Sequence, residues 1–218
     1  ALKNYKENRR NWKKALLLVQ FVINVFLVAM MLVIAKQYQK AMNDDPGYEF
    51  ENLVGCSFDS MPGSEIKPFI ERVKELPEVI DIERSYDFPA GGASGNNIFT
   101  LENGYTELFN VADQYEGTDG FFEILEIPFV EGRAPRSADE VAVSRSFVEK
   151  MMDFQDWSDG AVGKHIFVTE HSQTEDHSLT VCGVYENYRI GTMNASDPRP
   201  SVKFWEDGNA EDSYKMPL

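Results

Sequence analysis

One apolar run dominates the start of the chain. From Ala15 to Ala35 it reads ALLLVQFVINVFLVAMMLVIA, without a single charge. A helix needs about 20 apolar residues to cross a hydrocarbon core of about 30 Å. The run therefore predicts one membrane-spanning helix over residues 15–36. A secretory signal core is shorter, about 7–15 residues, and closes on a small-residue cleavage site. The following Lys36-Gln37-Tyr38-Gln39-Lys40 offers no such site, so the run reads as a retained anchor. Its only polar residues are Gln20 and Asn24, four apart and so on one helix face. Polar side chains within a membrane bond across to neighbouring helices, which marks Gln20 and Asn24 as candidate membrane-helix contacts.

Beyond the anchor the pattern changes. Lys36–Met42 extends the helix until Asp44-Asp45-Pro46-Gly47 breaks it. Leu53–Phe58 reads as a buried strand, and Met61-Pro62-Gly63-Ser64 as a turn. Ile66, Phe69, Ile70, Val73 and Leu76 form one helical stripe. Ser64 can cap that helix, Pro68 is tolerable only near its first turn, and Pro77 ends it. Val79–Glu83 predicts a strand, and Phe88–Asn97 a loop rich in Gly, Ser and Asn. Ile98–Leu101 and Leu108–Val111 form a hairpin about Asn103-Gly104. Asp119 caps a short helix, Phe121–Leu125. Val141–Val143 is a strand, and Ser144 caps a helix with Phe147, Val148, Met151 and Met152 inward. Ile166–Val168 pairs with Leu179–Tyr185 across the polar loop 170–178. Strands and helices mix irregularly, so the class is α+β: one N-terminal transmembrane helix, then a mixed domain or two small lobes.

Charge sets the orientation. Residues 1–14 hold six basic residues and one acid, a net +5, which leaves −20 on the rest of a chain whose total is −15. The positive-inside rule puts residues 1–14 in the cytoplasm as a basic tail and residues 37–218 outside. The tail also suits anionic lipid. An outer domain this acidic excludes nucleic-acid binding, which needs a basic face. Cys56 and Cys182 both fall in predicted strands. Outside the cytoplasm a disulfide between them is permitted; two small buried hydrophobes is the simpler reading.

No catalytic signature holds. There is no His-Glu-x-x-His, Gly-x-Ser-x-Gly or Cys-x-x-Cys. The Gly-rich loop lacks the Gly-Lys-Ser/Thr ending of a phosphate loop. His165, His171 and His177 lie six residues apart among Glu170, Glu175 and Asp176, and read as a solvated hairpin loop before they read as a metal site. Asp153, Asp156 and Asp159 are spaced by three, whereas a calcium loop of the EF-hand type alternates its acids by two. The expectation is a chain that is not an enzyme and binds no metal or cofactor.

Several motifs carry a resemblance when taken in order. They are Asp119-Gly-Phe-Phe122-Glu-Ile-Leu125-Glu-Ile127-Pro128 with Gly132-Arg133, Asp139-Glu-Val-Ala-Val143-Ser144, Val162-Gly163-Lys164, and Val181-Cys-Gly183-Val184-Tyr185-Glu186-Asn187-Tyr188. The set resembles the periplasmic core domain of MacB-like and FtsX-like ABC transporter permeases. Gln20-Phe21 and Gly47–Val54 are similar to the large permeases of Bacteroidetes. The resemblance implies an inner-membrane permease subunit whose non-catalytic periplasmic domain transmits ATP-driven motion to a periplasmic substrate or partner protein. It implies that a separate cytoplasmic subunit binds the ATP and that a second permease copy or half completes the membrane part. The family supplies no catalytic residues to carry over; Gly132, Gly163 and Gly183 would serve turns or close strand contacts. The permeases have further spans, so the chain is read as a fragment of a longer one, the second half of a duplicated form. A single-span receptor with a ligand-sensing outer domain is the alternative, and further spans downstream would discriminate the two. An anchored envelope enzyme is a third reading that lacks a site.

Overall fold

A computed structural model describes residues 2–56, 63–83, 85, 88–89, 96–100, 106–111, 113–118, 120–168, 178–191 and 199–205. The chain divides into two units, Ala1–Asp45 and Pro46–Leu218.

The first unit is one helix, α1 (Leu2–Asn43). It contains no glycine and no proline, the residues that most often interrupt or kink a helix. At 1.5 Å per residue it runs about 63 Å, roughly twice a hydrocarbon core. Its segment Asn11–Asn43 is long and apolar enough to cross a membrane. The basic residues of segment 3–14 are helical as well and lead directly into the apolar run.

The second unit is built on a mixed eight-stranded sheet. The strands are β1 (Asn96–Thr100), β2 (Thr106–Val111), β3 (Asp113–Gly117), β4 (Phe129–Gly132), β5 (Glu140–Ser144), β6 (His165–Val168), β7 (Leu179–Tyr185) and β8 (Ser201–Trp205). Their order is β2-β1-β6-β7-β5-β8-β3, with β4 also on β7. The β5–β7 and β3–β8 pairs are parallel and the others antiparallel. Among the described residues three helices accompany the sheet: α2 (Gly63–Lys74), α3 (Phe121–Ile124) and α4 (Arg145–Met151).

Each sheet face carries its own core. Val141, Val143, Val202 and Phe204 join Phe147, Met151 and Trp157 in the larger cluster. Ala142, between two residues of that cluster, joins Phe121, Phe122, Leu125 and Tyr185 in the second. This is the alternation a strand buried on both faces requires. Opposite Val141 and Ala142, β7 carries an extra residue: Val141 pairs with Val181 and Ala142 with Gly183, so Cys182 is skipped. The bulge reverses the alternation, which is why both Val181 and Val184 belong to the larger cluster.

The chain enters this unit through a docked strap. Pro46 is buried, and its carbonyl accepts a hydrogen bond from Arg189 N at 2.7 Å. Glu49 N donates to Leu125 O at 2.8 Å. Between them Tyr48 meets Tyr188, Phe88 and Phe50 edge-on, with centroids 6.2, 5.9 and 6.5 Å away. Leu53 packs against the second cluster.

The hairpin, the short helix after Gly120, the capped α4 and the β6–β7 pair stand where the pattern placed them. Other expectations fail. Residues 53–56 are irregular and Val54 is 89% exposed, because no described strand pairs with this run and Leu53 alone reaches the core. Residues 79–83 are also irregular, with Ile80 fully exposed; near them only Ser85 bridges to Gly117 of β3. On α2, Ile66 is buried and Phe69 exposed, and Leu76 lies exposed beyond the end of the helix at Lys74. That helix starts at Gly63, so Ser64 lies inside it and Pro68 sits in its second turn. Met152 is the C-cap of α4 and half-exposed. The strands β3, β4 and β8 had no counterpart in the pattern. The Met61-Pro62 turn, most of the Gly-rich loop, Asn103-Gly104, Asp119, His171 and His177 lie outside the described residues.

Candidate functional site

Two places in the molecule gather polar groups that the sequence or the fold singles out. The first is on α1. Gln20 and Asn24 both lie exposed among exposed apolar side chains, one turn apart on a helix that shields neither. A side-chain amide facing hydrocarbon is costly unless it is hydrogen-bonded. A second helix carrying a donor or acceptor at this depth would remove that cost.

The second is a buried hydroxyl cluster where β5, α4, β7 and β8 meet. Ser144 ends β5 and caps α4: its Oγ accepts from Phe147 N at 3.2 Å. The same oxygen accepts from Ser201 N at 3.0 Å and lies 3.0 Å from Ser146 Oγ. Ser146 Oγ donates to Arg199 O at 3.0 Å. Tyr185 Oη and Ser201 Oγ are 2.8 Å apart. Asn187 Oδ1 accepts from Ser146 N at 2.8 Å. These bonds satisfy amide groups that a helix start leaves without partners. The hydroxyls bond to backbone groups and to each other, so the cluster is suited to holding segments together. The sequence pointed to Ser144 as a cap, but Ser146 and Asn187 are 41 residues apart and no spacing rule joins them.

The ion pairs lie at the surface. Arg133 grips Glu140 through two guanidinium nitrogens, at 2.8 and 2.5 Å, and Arg136 N adds a third bond at 2.9 Å. Arg133 holds the Glu140 carboxyl below its ordinary value, chiefly through its hydrogen bond. Asp159 pairs with Lys164 at 2.7 Å, and Asp156 accepts from the backbone and hydroxyl of Ser158. Among the described residues no group of His, Cys, Asp or Glu could hold a metal ion. His165 is exposed, its Nδ1 3.4 Å from Ser178 Oγ.

Cys56 and Cys182 are both free thiols; Cys56 is exposed and Cys182 buried. The disulfide permitted by composition is absent from this structure, and only Cys182 fills the role of a buried hydrophobe. Its Sγ lies 3.3 Å from Val141 O and 3.4 Å from Arg133 O. Burial pushes the thiol up to about 11, which leaves about one molecule in a thousand as thiolate at pH 8. A maleimide applied at pH 8 is therefore expected to label one thiol per native chain, at Cys56, and two per denatured chain. Mass spectrometry of the labelled peptides checks this; labelling of Cys182 at the rate of Cys56 would show that β7 is not closed against β4 and β5.

The sequence profile of the MacB-like periplasmic core domain matches residues 16–203. The chain belongs to that family. The MacB-like match begins inside the apolar stretch of α1 and closes within β8, so it takes in most of the apolar helix, the strap and all but the last two residues of the sheet. Solved structures similar to this chain include a domain of a protein described as a permease from Porphyromonas gingivalis, at 20% identity over 63% of this chain and 54% of that one, with a TM-score of 0.42. The extracellular domain of the noncanonic ABC-type transporter YknZ from Gram-positive bacteria aligns at 10% identity, over 76% and 66% of the two chains, with a TM-score of 0.37. The periplasmic region of MacB from Actinobacillus actinomycetemcomitans aligns at 14% identity, over 68% and 70%, with a TM-score of 0.35. The chain spans about half the length of the first of these. A comparison with curated proteins gave no match. Within the MacB-like domain, Gly132, Gly183 and Asn187 lie in the segments whose order carried the resemblance, and all three serve close backbone contacts or caps.

Proposed function

We propose that the chain is part of an ABC transporter permease subunit. In this reading α1 crosses the inner membrane with its basic end in the cytoplasm, and the mixed sheet stands in the periplasm as a non-catalytic domain. A separate cytoplasmic subunit binds and hydrolyses ATP, and the periplasmic domain passes the resulting motion to a substrate or partner protein outside. The observation that carries the reading is the extent of the family match: one family unit includes both the spanning segment and the outer sheet. The six basic residues before the span support the orientation. Purification of the tagged full-length protein from its native membrane in mild detergent tests it. A stoichiometric nucleotide-binding subunit with vanadate-sensitive ATPase activity is expected. A folded protein that brings down no such subunit would overturn the reading.

Gln20 and Asn24 are proposed to face a second helix of the permease. Replacing both with leucine removes the interhelical bonds, each worth about 0.6–2 kcal/mol in membranes. The expected result is weaker subunit association in detergent with an unchanged melting temperature of the outer domain. Assembly as strong as in the wild type would place the two residues toward lipid.

A further inference from the structure

The strap and the hydroxyl cluster share one residue. Gly47 sits at φ +81°, and a side chain there would bring its Cβ to 3.0 Å from Asn187 O and 3.1 Å from Tyr188 Cα. The strap backbone therefore rests directly on Asn187, held in register by the bonds from Arg189 N to Pro46 O and from Glu49 N to Leu125 O. The same Asn187 accepts from Ser146 N in the first turn of α4. From Ser146 the path continues to Arg199 O, and from its neighbour Ser144 to Ser201 N at the start of β8. Residues 47, 187, 146 and 199 are far apart in sequence but joined through consecutive short contacts.

The two capped amides of α4 differ in where their acceptors come from. Phe147 N bonds to Ser144 of the adjoining strand. Ser146 N bonds to Asn187, which belongs to the segment beneath the strap. A shift of a few tenths of an ångström in residues 187–188 would stretch the second bond and leave the first in place.

We propose that Asn187 is a positioning residue through which displacement of the strap Pro46–Leu53 reaches the first turn of α4 and the lead-in to β8. The strap is the segment by which the chain leaves α1. Asn187 thus ties the strap that follows α1 to two elements of the sheet domain. The proposal gives the permease reading a specific route into the periplasmic domain, but its test needs no ATPase and can fail while that reading stands.

The test is hydrogen exchange of the full chain in lipid nanodiscs, read by mass spectrometry with single-amide fragmentation. Gly47→Ala places a Cβ against Asn187 and Tyr188 at a left-handed φ. It is expected to speed exchange at Arg189 N and at Ser146 N by about tenfold, and at Phe147 N by less than about twofold. In an Asn187→Ala background, where Ser146 N has already lost its acceptor, Gly47→Ala is expected to add nothing at Ser146. Tyr48→Leu, which removes the ring contact to Tyr188 and leaves the backbone conformation free, is the second variant should Gly47→Ala fail to fold; it is read at the same amides. Faster exchange at Arg189 with no change at Ser146 would overturn the proposal. So would an equal rise at Ser146 and Phe147, or an additive effect in the Asn187→Ala background.

Discussion

Gly183→Ala is expected to destabilise the sheet domain by more than about 3 kcal/mol. The position lies in β7, where β4 approaches so closely that a Cβ would stand 2.7 Å from Phe129 Cε1 and 2.8 Å from Arg133 N, and closer still to Arg133 O. Phe129 can rotate, but the Arg133 backbone cannot give way without leaving the sheet. Retreat of β4 would break the bond from Arg133 N to Cys182 O, now 3.0 Å, and loosen the grip of Arg133 on Glu140. Gly132 makes the approach possible from the other side: it holds φ +71°, and a Cβ there would lie 2.8 Å from Gly183 Cα. Overpacking that a rotamer change could relieve costs about 1–3 kcal/mol; a clash with backbone stands at or above that range. For an outer unit of this size each kcal/mol lowers the melting temperature by about 2–4 °C, so a fall of about 6–12 °C is expected by circular dichroism. A variant that melts within about 2 °C of the wild type would show that β4 does not lie against β7 as described.

That pair of glycines was half legible in the sequence. Both could be assigned to turns or close strand contacts, because glycine in an apolar run has few other uses. Their pairing could not be assigned, since β4 itself was invisible. Phe129-Val130-Glu131-Gly132 is too short to show a period, and it is recruited by an edge of β7 that β6 leaves open. The same physics explains the other misses. Leu53–Cys56 and Val79–Glu83 have the composition of strands, but a strand exists only where a partner edge accepts it, and the edge is set by tertiary structure. β8 failed in the opposite sense. Ser201-Val-Lys-Phe-Trp205 places a lysine between apolar neighbours; the side chain is buried, with Nζ donating to Phe204 O and lying 4.9 Å from the Phe121 ring. No sequence pattern announces a lysine in that setting.

The long apolar helix was the clearest signal because it answers to a local rule. Length and the lack of charge suffice for it, whatever surrounds the helix. The same holds for Ser144, whose capping bond spans three residues. The strap was the least legible. Asp44-Asp45-Pro46-Gly47 reads as a break, and a break it is, but the sequence does not say that the next residues are bonded to Leu125 and Arg189. Contacts between segments this far apart leave no periodic trace, so the element that joins the span to the sheet becomes visible only in the fold.

A paired substitution on α4 measures how firmly that fold sets side-chain direction. The helical spacing put Phe147, Val148, Met151 and Met152 on one inward face, whereas the structure buries Phe147 completely and leaves Met152 at 51% exposure as the C-cap. Phe147 sits between Phe109 and Trp157, with centroids 5.4 and 6.2 Å away. Deleting its ring opens a cavity walled by the strands of the larger core, which cannot collapse onto it. Phe147→Ala is therefore expected to cost about 3–5 kcal/mol, a drop of about 6–20 °C in the melting temperature. Met152→Ala removes a side chain that is half in solvent at a helix end, and is expected to cost less than about 1 kcal/mol. The difference between the two is the informative quantity, because both residues are large, apolar and only five positions apart. Equal losses would mean that α4 is rotated from the orientation described, with Met152 in the core as the periodicity alone suggests. A large loss at Phe147 with a negligible one at Met152 is the result expected of a helix that ends at Met151 with Phe147 in the core.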